Sequence, residues 1–212
     1  MLPETSPELY LDDELSQNVD LCTQKHYQLI HFFTGARVRP LAFPRSVLGL
    51  QQYLEAIGIR HFTAVEITKP RYPQHLDEGE AFLDPLCGRV LLPARWAWPR
   101  LVAPLVLLEL ARTTTGPITF RHGYRPPKYN AACGSKAPRS DHVFCCAVDV
   151  AFASRDDLFK SLEHVLSPRW RMPEYGLSMG YHSLRGGNLH LGVWAPETER
   201  AGRPRIWKYG AD

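Results

Sequence analysis

The chain has 212 residues, of which 44% are apolar and 22% charged, so it is long enough to bury a full hydrophobic core. The formal net charge is only +3 and the basic residues form no block, so nucleic acid is not an expected partner. Residues 1–17 lack a signal-peptide pattern, and the longest apolar run, around residues 101–110, is far shorter than the ~20 residues of a membrane span. We therefore expect a cytoplasmic protein without a membrane segment.

The N-terminal part, residues 1–78, is interpreted as an extension or small subdomain whose role the sequence does not reveal. Its first forty residues predict an irregular or partly helical arm. The segment Ser46–Ile57 places apolar side chains on one helical face, and Gly58 follows as a C-terminal cap. The β-branched residues of His61–Ile67 predict a strand, and the turn-rich segment after it predicts a boundary near residue 78.

The second part, residues 79–212, predicts one domain. A helix is expected at Trp96–Thr115 and another at Asp156–Leu166, with Ser154 as the N-cap of the second. Four short strands are expected at Ile118–Arg121, Phe144–Phe152, Tyr175–His182 and Leu189–Trp194. Strands that are segregated from helices indicate an α+β fold with an antiparallel sheet and flanking helices.

The five cysteines are odd in number and show no CxxC spacing. This pattern argues against both a disulfide framework and a structural zinc knuckle. We expect most of them to be reduced and structural.

Three side chains of metal-ligand type occur in the second part: His142 at the end of a loop, Asp149 between two valines, and His190 in the last apolar strand. Because side chains alternate along a strand, Asp149 and His190 can share one face of the sheet. A carboxylate between valines is costly unless a cation or strong donors satisfy it. The residues alone fit either a metal site or a set of hydrogen-bonded core residues. Three ligands with an open fourth position are the arrangement of catalytic zinc.

The run GYRPPKYNAACGSKAPRSDHVFCCAVD, residues 123–149, resembles the metal-binding segment of the zinc D-Ala-D-Ala carboxypeptidases. The family pattern is GYR, then N, a Gly-rich loop, S-x-H and A-x-D. The resemblance covers about residues 80–195, since GLSMGY and GNLHLGVW are similar to the family's last two strands. It implies the fold that these enzymes share with the Hedgehog signalling domain, and it implies His142, Asp149 and His190 as zinc ligands.

The resemblance also implies an activity. It indicates a zinc metallopeptidase of carboxypeptidase or endopeptidase type that cleaves an amide bond in peptidoglycan-type peptides, carried to the cell wall as a phage-encoded protein or released by lysis. Arg125 would bind a substrate carboxylate or the developing oxyanion, and Ser140 and Tyr124 would contact substrate. The residues alone equally permit Arg125 to pair with an acidic neighbour and Ser140 to cap a turn. An oligomeric state is not defined.

One part of the family pattern is missing. Similar enzymes place an ionisable general base close to the last ligand, where this sequence has Gly187, Asn188 and Gly192. His182 and Glu174 are the candidate substitutes. Two further alternatives therefore stay open: a non-catalytic, zinc-stabilised binding or assembly module, and a metal-free interaction protein.

Two more residues near the motif are unexplained. Cys145 stands where similar sequences have glycine, and strand parity would place it on the face of Asp149, where a thiolate would close the open metal position. The alternative is a small buried filler beside Cys146, which the same parity sends to the core. His122 precedes the GYR motif and is either exposed at a strand end or part of the site.

Overall fold

The computed structural model describes residues 21–135, 140–166, 177–182, 187–194 and 205–209. These residues combine helices with a mainly antiparallel sheet, which confirms the predicted α+β class. The helices are α1 (Leu21–Thr34), α2 (Val47–Ala56), α3 (Ala64–Thr68), α4 (Trp98–Thr115), α5 (Pro127–Ala132) and α6 (Arg155–Lys160), the last continued by a π-helical segment (Ser161–Leu166). The strands are β1 (Phe82–Asp84), β2 (Gly88–Val90), β3 (Ile118–His122), β4 (Ala147–Phe152), β5 (Leu177–His182), β6 (Gly187–Val193) and β7 (Arg205–Tyr209).

The main sheet has five strands in the order β3-β4-β6-β5-β7. Its neighbouring strands are antiparallel except for β5 and β7, which run parallel. Strand β7 was not among the predicted strands, and β1 and β2 form a separate hairpin. Because β4 and β6 lie inside the sheet, each of their side chains has neighbours on both flanking strands.

Helix α4 is the centre of the hydrophobic core. Its residues are apolar nearly all round, as in a buried helix, and Trp98, Leu101 and Leu105 are fully buried. It packs against α1 on one side and against β4 and β6 on the other. Pro104 lies inside this helix, beyond the first turn. The helix therefore forms a layer between the N-terminal part and the sheet.

The N-terminal part packs on the same core. Helix α1 falls within the predicted arm and buries Cys22, Leu29 and Ile30, while α2 buries Leu50 and Leu54. These residues belong to one hydrophobic cluster together with α4 and the sheet. The boundary near residue 78 stays a prediction, but residues on both sides of it share a core.

Two predicted helices are confirmed, each with its cap. The Ser46 hydroxyl accepts from the backbone N–H of Gly49 at the start of α2. Glycine is required at position 49, because a Cβ there would lie 2.0 Å from the carbonyl oxygen of Pro44. The Ser154 hydroxyl accepts in the same way from Asp157 at the start of α6.

The strand predicted at His61–Ile67 is wrong, since Ala64–Thr68 form helix α3. The Thr63 hydroxyl accepts from the backbone N–H of Glu66 and caps this helix. A local cap and the burial of Ile67 thus outweigh the β-propensity of the branched side chains. None of the helices in the described part of the chain is long and apolar enough to cross a membrane.

Candidate metal centre

The register of the main sheet forms a row of five neighbouring positions that crosses all five strands. Asp149 on β4 pairs with His190 on β6 and with His122 on β3, where a register shift marks a bulge. On the far side His190 pairs with Gly180 on β5, and Gly180 pairs with Trp207 on β7. Cross-strand partners lie ~5 Å apart, so the sheet alone places two of the predicted ligands side by side.

The alternation predicted for β4 is observed. Val148 and Val150 are buried against the core, while the side chain of Asp149 is 26% exposed on the other face. The predicted ligands are brought together there: one donor atom from each of His142, Asp149 and His190 lies within 4.8 Å of the others.

His142 reaches the sheet from the turn that precedes β4. Its Nδ1 lies 2.8 Å from the carbonyl oxygen of Gly123, and its Nε2 lies 3.2 Å from Oδ1 of Asp149. Burial lowers the pKa of His142 to about 4, so the ring is neutral at neutral pH. The Gly123 carbonyl and the ionised Asp149 carboxylate can both only accept, so a neutral His142 ring leaves one of its nitrogens facing an oxygen without a proton between them.

Asp149 is the one carboxylate in this row of five positions. Its Oδ1 faces His142 and lies 2.9 Å from Nδ1 of His190, while its Oδ2 accepts from the Arg125 guanidinium and lies 3.4 Å from Nδ1 of His122. Burial opposes ionisation, but the imidazoles around it, His142 first, hold the pKa of Asp149 well below its usual value. The group is therefore a carboxylate throughout the neutral range.

His190 is held by a residue that the sequence did not reveal. Its Nε2 lies 3.5 Å from Oδ2 of Asp141, which is 5% exposed and accepts from the Ser178 hydroxyl at 3.0 Å. Burial disfavours the charged ring, yet hydrogen bonds to Asp141 and Asp149 raise the pKa of His190 to about 9. The only sequence signal for Asp141 is its place between the two motif residues of S-x-H.

This arrangement fits a zinc ion. Two imidazoles and one carboxylate are ligands that zinc takes in catalytic sites. A cation beside Nε2 of His142 would leave the single ring proton on Nδ1, where the Gly123 carbonyl accepts it, and would remove the repulsion between the Nε2 lone pair and the Asp149 oxygen. Metal-ligating histidines commonly donate their second ring N–H to a carbonyl or a carboxylate. The Gly123 carbonyl is in that position for His142, and the Asp141 carboxylate is in that position for His190.

A cavity of 360 Å³ opens beside the centre. Asp149 is the only carboxylate among the described residues that line it. Two arginines add positive charge, and His122 presents an Nε2 atom that is buried and has no hydrogen-bond partner within the described ranges. The lining residues are Arg71, Arg121, His122, Asp149, Val150, Gly180, Asn188, Leu189 and His190.

The residues predicted to bind substrate do not line this cavity. Arg125 is bound to Asp149. Tyr124 is 7% exposed and packs in the hydrophobic core, and burial raises the pKa of its hydroxyl. Ser140 is 9% exposed in the turn that carries His142, where its carbonyl accepts from Val143. Arg125 thus acts on the centre through Asp149, while Tyr124 lies in the core and Ser140 in the turn.

The two candidate bases are not placed at the centre by any described contact. His182 ends β5, two residues beyond Gly180, and its side chain lies outside the described residues, as does all of Glu174. Cys145 does not share the face of Asp149. It precedes β4 with a positive φ of 60°, so strand alternation does not reach it, and its sulfur is not among the candidate ligand atoms.

Comparison with family models, with curated proteins and with solved structures finds no match to this chain. The fold class and the geometry of the centre are therefore established by the structure itself.

Proposed function

We propose that this protein is a zinc-dependent hydrolase that cleaves an amide bond in peptides of the peptidoglycan type, with His142, Asp149 and His190 as the zinc ligands. The observation that carries the proposal is the convergence of His142 Nε2 and His190 Nδ1 on one oxygen of Asp149, at the edge of an open cavity. A structural zinc site is closed by four protein ligands, whereas a catalytic site leaves one position open. Three ligands beside a cavity favour catalysis.

The chain's own residues hold the ligands in place. The Gly123 carbonyl fixes the tautomer and the orientation of His142. Asp141, itself fixed by Ser178, orients His190. Arg125 restrains Asp149 through Oδ2 and leaves Oδ1 toward the two imidazoles. A bound zinc ion supplies Lewis acidity, which polarises a substrate carbonyl and makes water more acidic.

The cavity favours a substrate with a free carboxylate. Arg71 and Arg121 line it, and a guanidinium group binds a carboxylate through two parallel hydrogen bonds. Gly180 and Leu189 add a small and an apolar surface, which suits a short side chain such as that of alanine. These features support a peptide that ends in D-alanine, the substrate that the family resemblance implies, with Arg71 and Arg121 in the role expected of Arg125.

His122 is the residue we assign to proton transfer. Among the described cavity-lining residues outside the ligand set, it alone has a side chain of the type used for general acid–base catalysis, and burial lowers its pKa, so that the ring is held in the neutral form that a base requires. Its Nδ1 lies 3.4 Å from Oδ2 of Asp149, and its Nε2 has no hydrogen-bond partner in the part of the chain that the structure describes. This position substitutes for the base that is missing around His190.

The test is the release of D-alanine from a peptide ending in D-Ala-D-Ala by the zinc-loaded protein. We expect His142→Ala to remove the zinc of this centre and to abolish release. His122→Gln should keep the zinc and slow release ~10²–10⁴-fold, the usual contribution of a general base. The control is His31→Ala, which removes an exposed histidine of α1 and should change neither.

A non-catalytic, zinc-stabilised module is the second candidate. It is favoured by one observation: apart from Asp149, no carboxylate lines the described part of the cavity. In that case the wild-type protein would hold zinc but release no D-alanine, and His122→Gln would have no effect. That outcome would overturn the hydrolase assignment and leave the metal centre intact.

A further inference from the structure

A second group of metal-ligating side chains lies away from this centre, where α1 meets the sheet. Cys22 and His26 are one turn apart on α1, and Cys146 directly precedes β4. The two sulfur atoms and a ring nitrogen of His26 lie within 4.8 Å of one another. The three residues are 3%, 0% and 0% exposed, so they are enclosed by the hydrophobic core.

The surroundings of His26 are incompatible with an ordinary neutral histidine. Its Nε2 lies 2.8 Å from the carbonyl oxygen of Val193, and its Nδ1 lies 2.6 Å from that of Cys22. A neutral ring has one N–H, so one nitrogen must face an oxygen lone pair without a proton. A doubly protonated ring would satisfy both oxygens, but it would bury a positive charge in the core.

A cation resolves this conflict. If the proton lies on Nε2, it is donated to Val193, which is how a backbone carbonyl orients a ligating histidine. The lone pair of Nδ1 then faces the carbonyl oxygen of Cys22 at 2.6 Å and the sulfur of Cys22 at 3.8 Å, and a cation bound to Nδ1 would offset the repulsion between these groups. Thiolate sulfur and imidazole nitrogen are both ligands of zinc. Two thiolates, one neutral imidazole and one divalent cation carry no net charge, which suits a buried position.

We propose that Cys22, His26 and Cys146 supply three ligands of a second, buried zinc site with a structural role, and that the carbonyl oxygen of Cys22, 2.6 Å from Nδ1 of His26, closes the fourth position. This site fastens α1 to the sheet, because the contacts of His26 and Cys22 reach Val193 and Trp194 at the end of β6. Strands β4 and β6 carry Asp149 and His190, so the second ion would stabilise the strands that hold the first. The proposal is independent of any hydrolase activity.

The alternative state of these residues is a metal-free network. The Cys22 thiol would then donate to the Trp194 carbonyl at 3.5 Å and the Cys146 thiol to the Phe144 carbonyl at 3.2 Å, with a charged His26 beside them. A Cys22–Cys146 disulfide is the other alternative, although both cysteines are free in the structure. Metal analysis and thiol counting separate these states.

The experiment measures metal in the 212-residue chain that carries His142→Ala, so that the first centre no longer contributes. We expect about one zinc per chain in this background, and at least a tenfold loss when Cys146→Ser is added. The matched control adds Cys87→Ser instead, which changes an exposed cysteine and should keep the zinc.

A second measurement does not depend on the folding of the Cys146→Ser variant. The His142→Ala protein is loaded with cobalt in place of zinc, and a thiolate-to-cobalt charge-transfer absorption is expected in the near ultraviolet. Absence of both zinc and this absorption, with all five thiols titratable after unfolding, would overturn the proposal. So would a protein that is lighter by two hydrogen atoms and has two fewer thiols, because that is the disulfide.

Discussion

Replacement of Asp141 by asparagine tests how the chain holds His190. Asparagine keeps the size of the side chain and can still accept from the Ser178 hydroxyl, so the fold should survive. It removes the negative charge that faces Nε2 of His190. Loss of the outer partner of a ligating histidine typically weakens metal binding 10–100-fold.

The structure indicates where in this 10–100-fold range the loss of zinc affinity should fall. The separation of 3.5 Å between Asp141 Oδ2 and His190 Nε2 is long for a charged hydrogen bond, which favours the lower end. We therefore expect zinc affinity to fall about tenfold, or about 1.4 kcal/mol. Each protein is titrated with zinc in competition with a chromophoric chelator. Asp156→Asn removes the same charge from an exposed position in α6 and serves as the control.

An unchanged zinc affinity in Asp141→Asn would refute the reasoning, because it would mean that His190 needs no outer partner or does not bind the metal. An equal loss in Asp156→Asn would show that net charge, and not the contact with His190, sets the affinity.

Three further predictions concern the fold. A methyl group at position 180 would lie 2.4 Å from the Trp207 indole, so Gly180→Ala should shift the tryptophan fluorescence and destabilise the protein by about 1–3 kcal/mol; an unchanged spectrum would contradict the packing of β7. Ser46→Ala removes the cap of α2 and should cost ~1 kcal/mol in urea unfolding, whereas a loss below about 0.3 kcal/mol would mean that the cap is not formed in solution. Leu105→Ala opens a cavity in the buried face of α4 and should cost ~2–5 kcal/mol by the same assay; a surface-like cost under about 0.5 kcal/mol would place α4 outside the core.

The sequence predicted those parts of the site that depend on local pattern. Side chains alternate between the two faces of a strand, which was sufficient to place Asp149 on the face opposite its flanking valines. The same rule applied to His190 placed both side chains on one face of the sheet. The predicted cap at Ser154 marked the start of α6 for the same reason, since a cap is a contact between residues three apart.

Features that depend on distant parts of the chain were not predictable in this way. The contact of Asp141 with His190 joins a turn to a strand far along the chain. Strand β7 pairs in parallel with β5, and the residues of β7 themselves do not predict which strand they pair with. Cys22 and Cys146 show no metal-ligand spacing in the sequence and meet only because α1 packs onto α4 and the sheet.

The measurement that tests the central claim most directly is the zinc content of the wild-type protein, of His142→Ala and of the control His31→Ala, all purified without chelators. The account predicts that His142→Ala holds one zinc per chain fewer than the other two. Equal zinc content in all three proteins, with His142→Ala folded by circular dichroism, would contradict a metal centre at His142, Asp149 and His190.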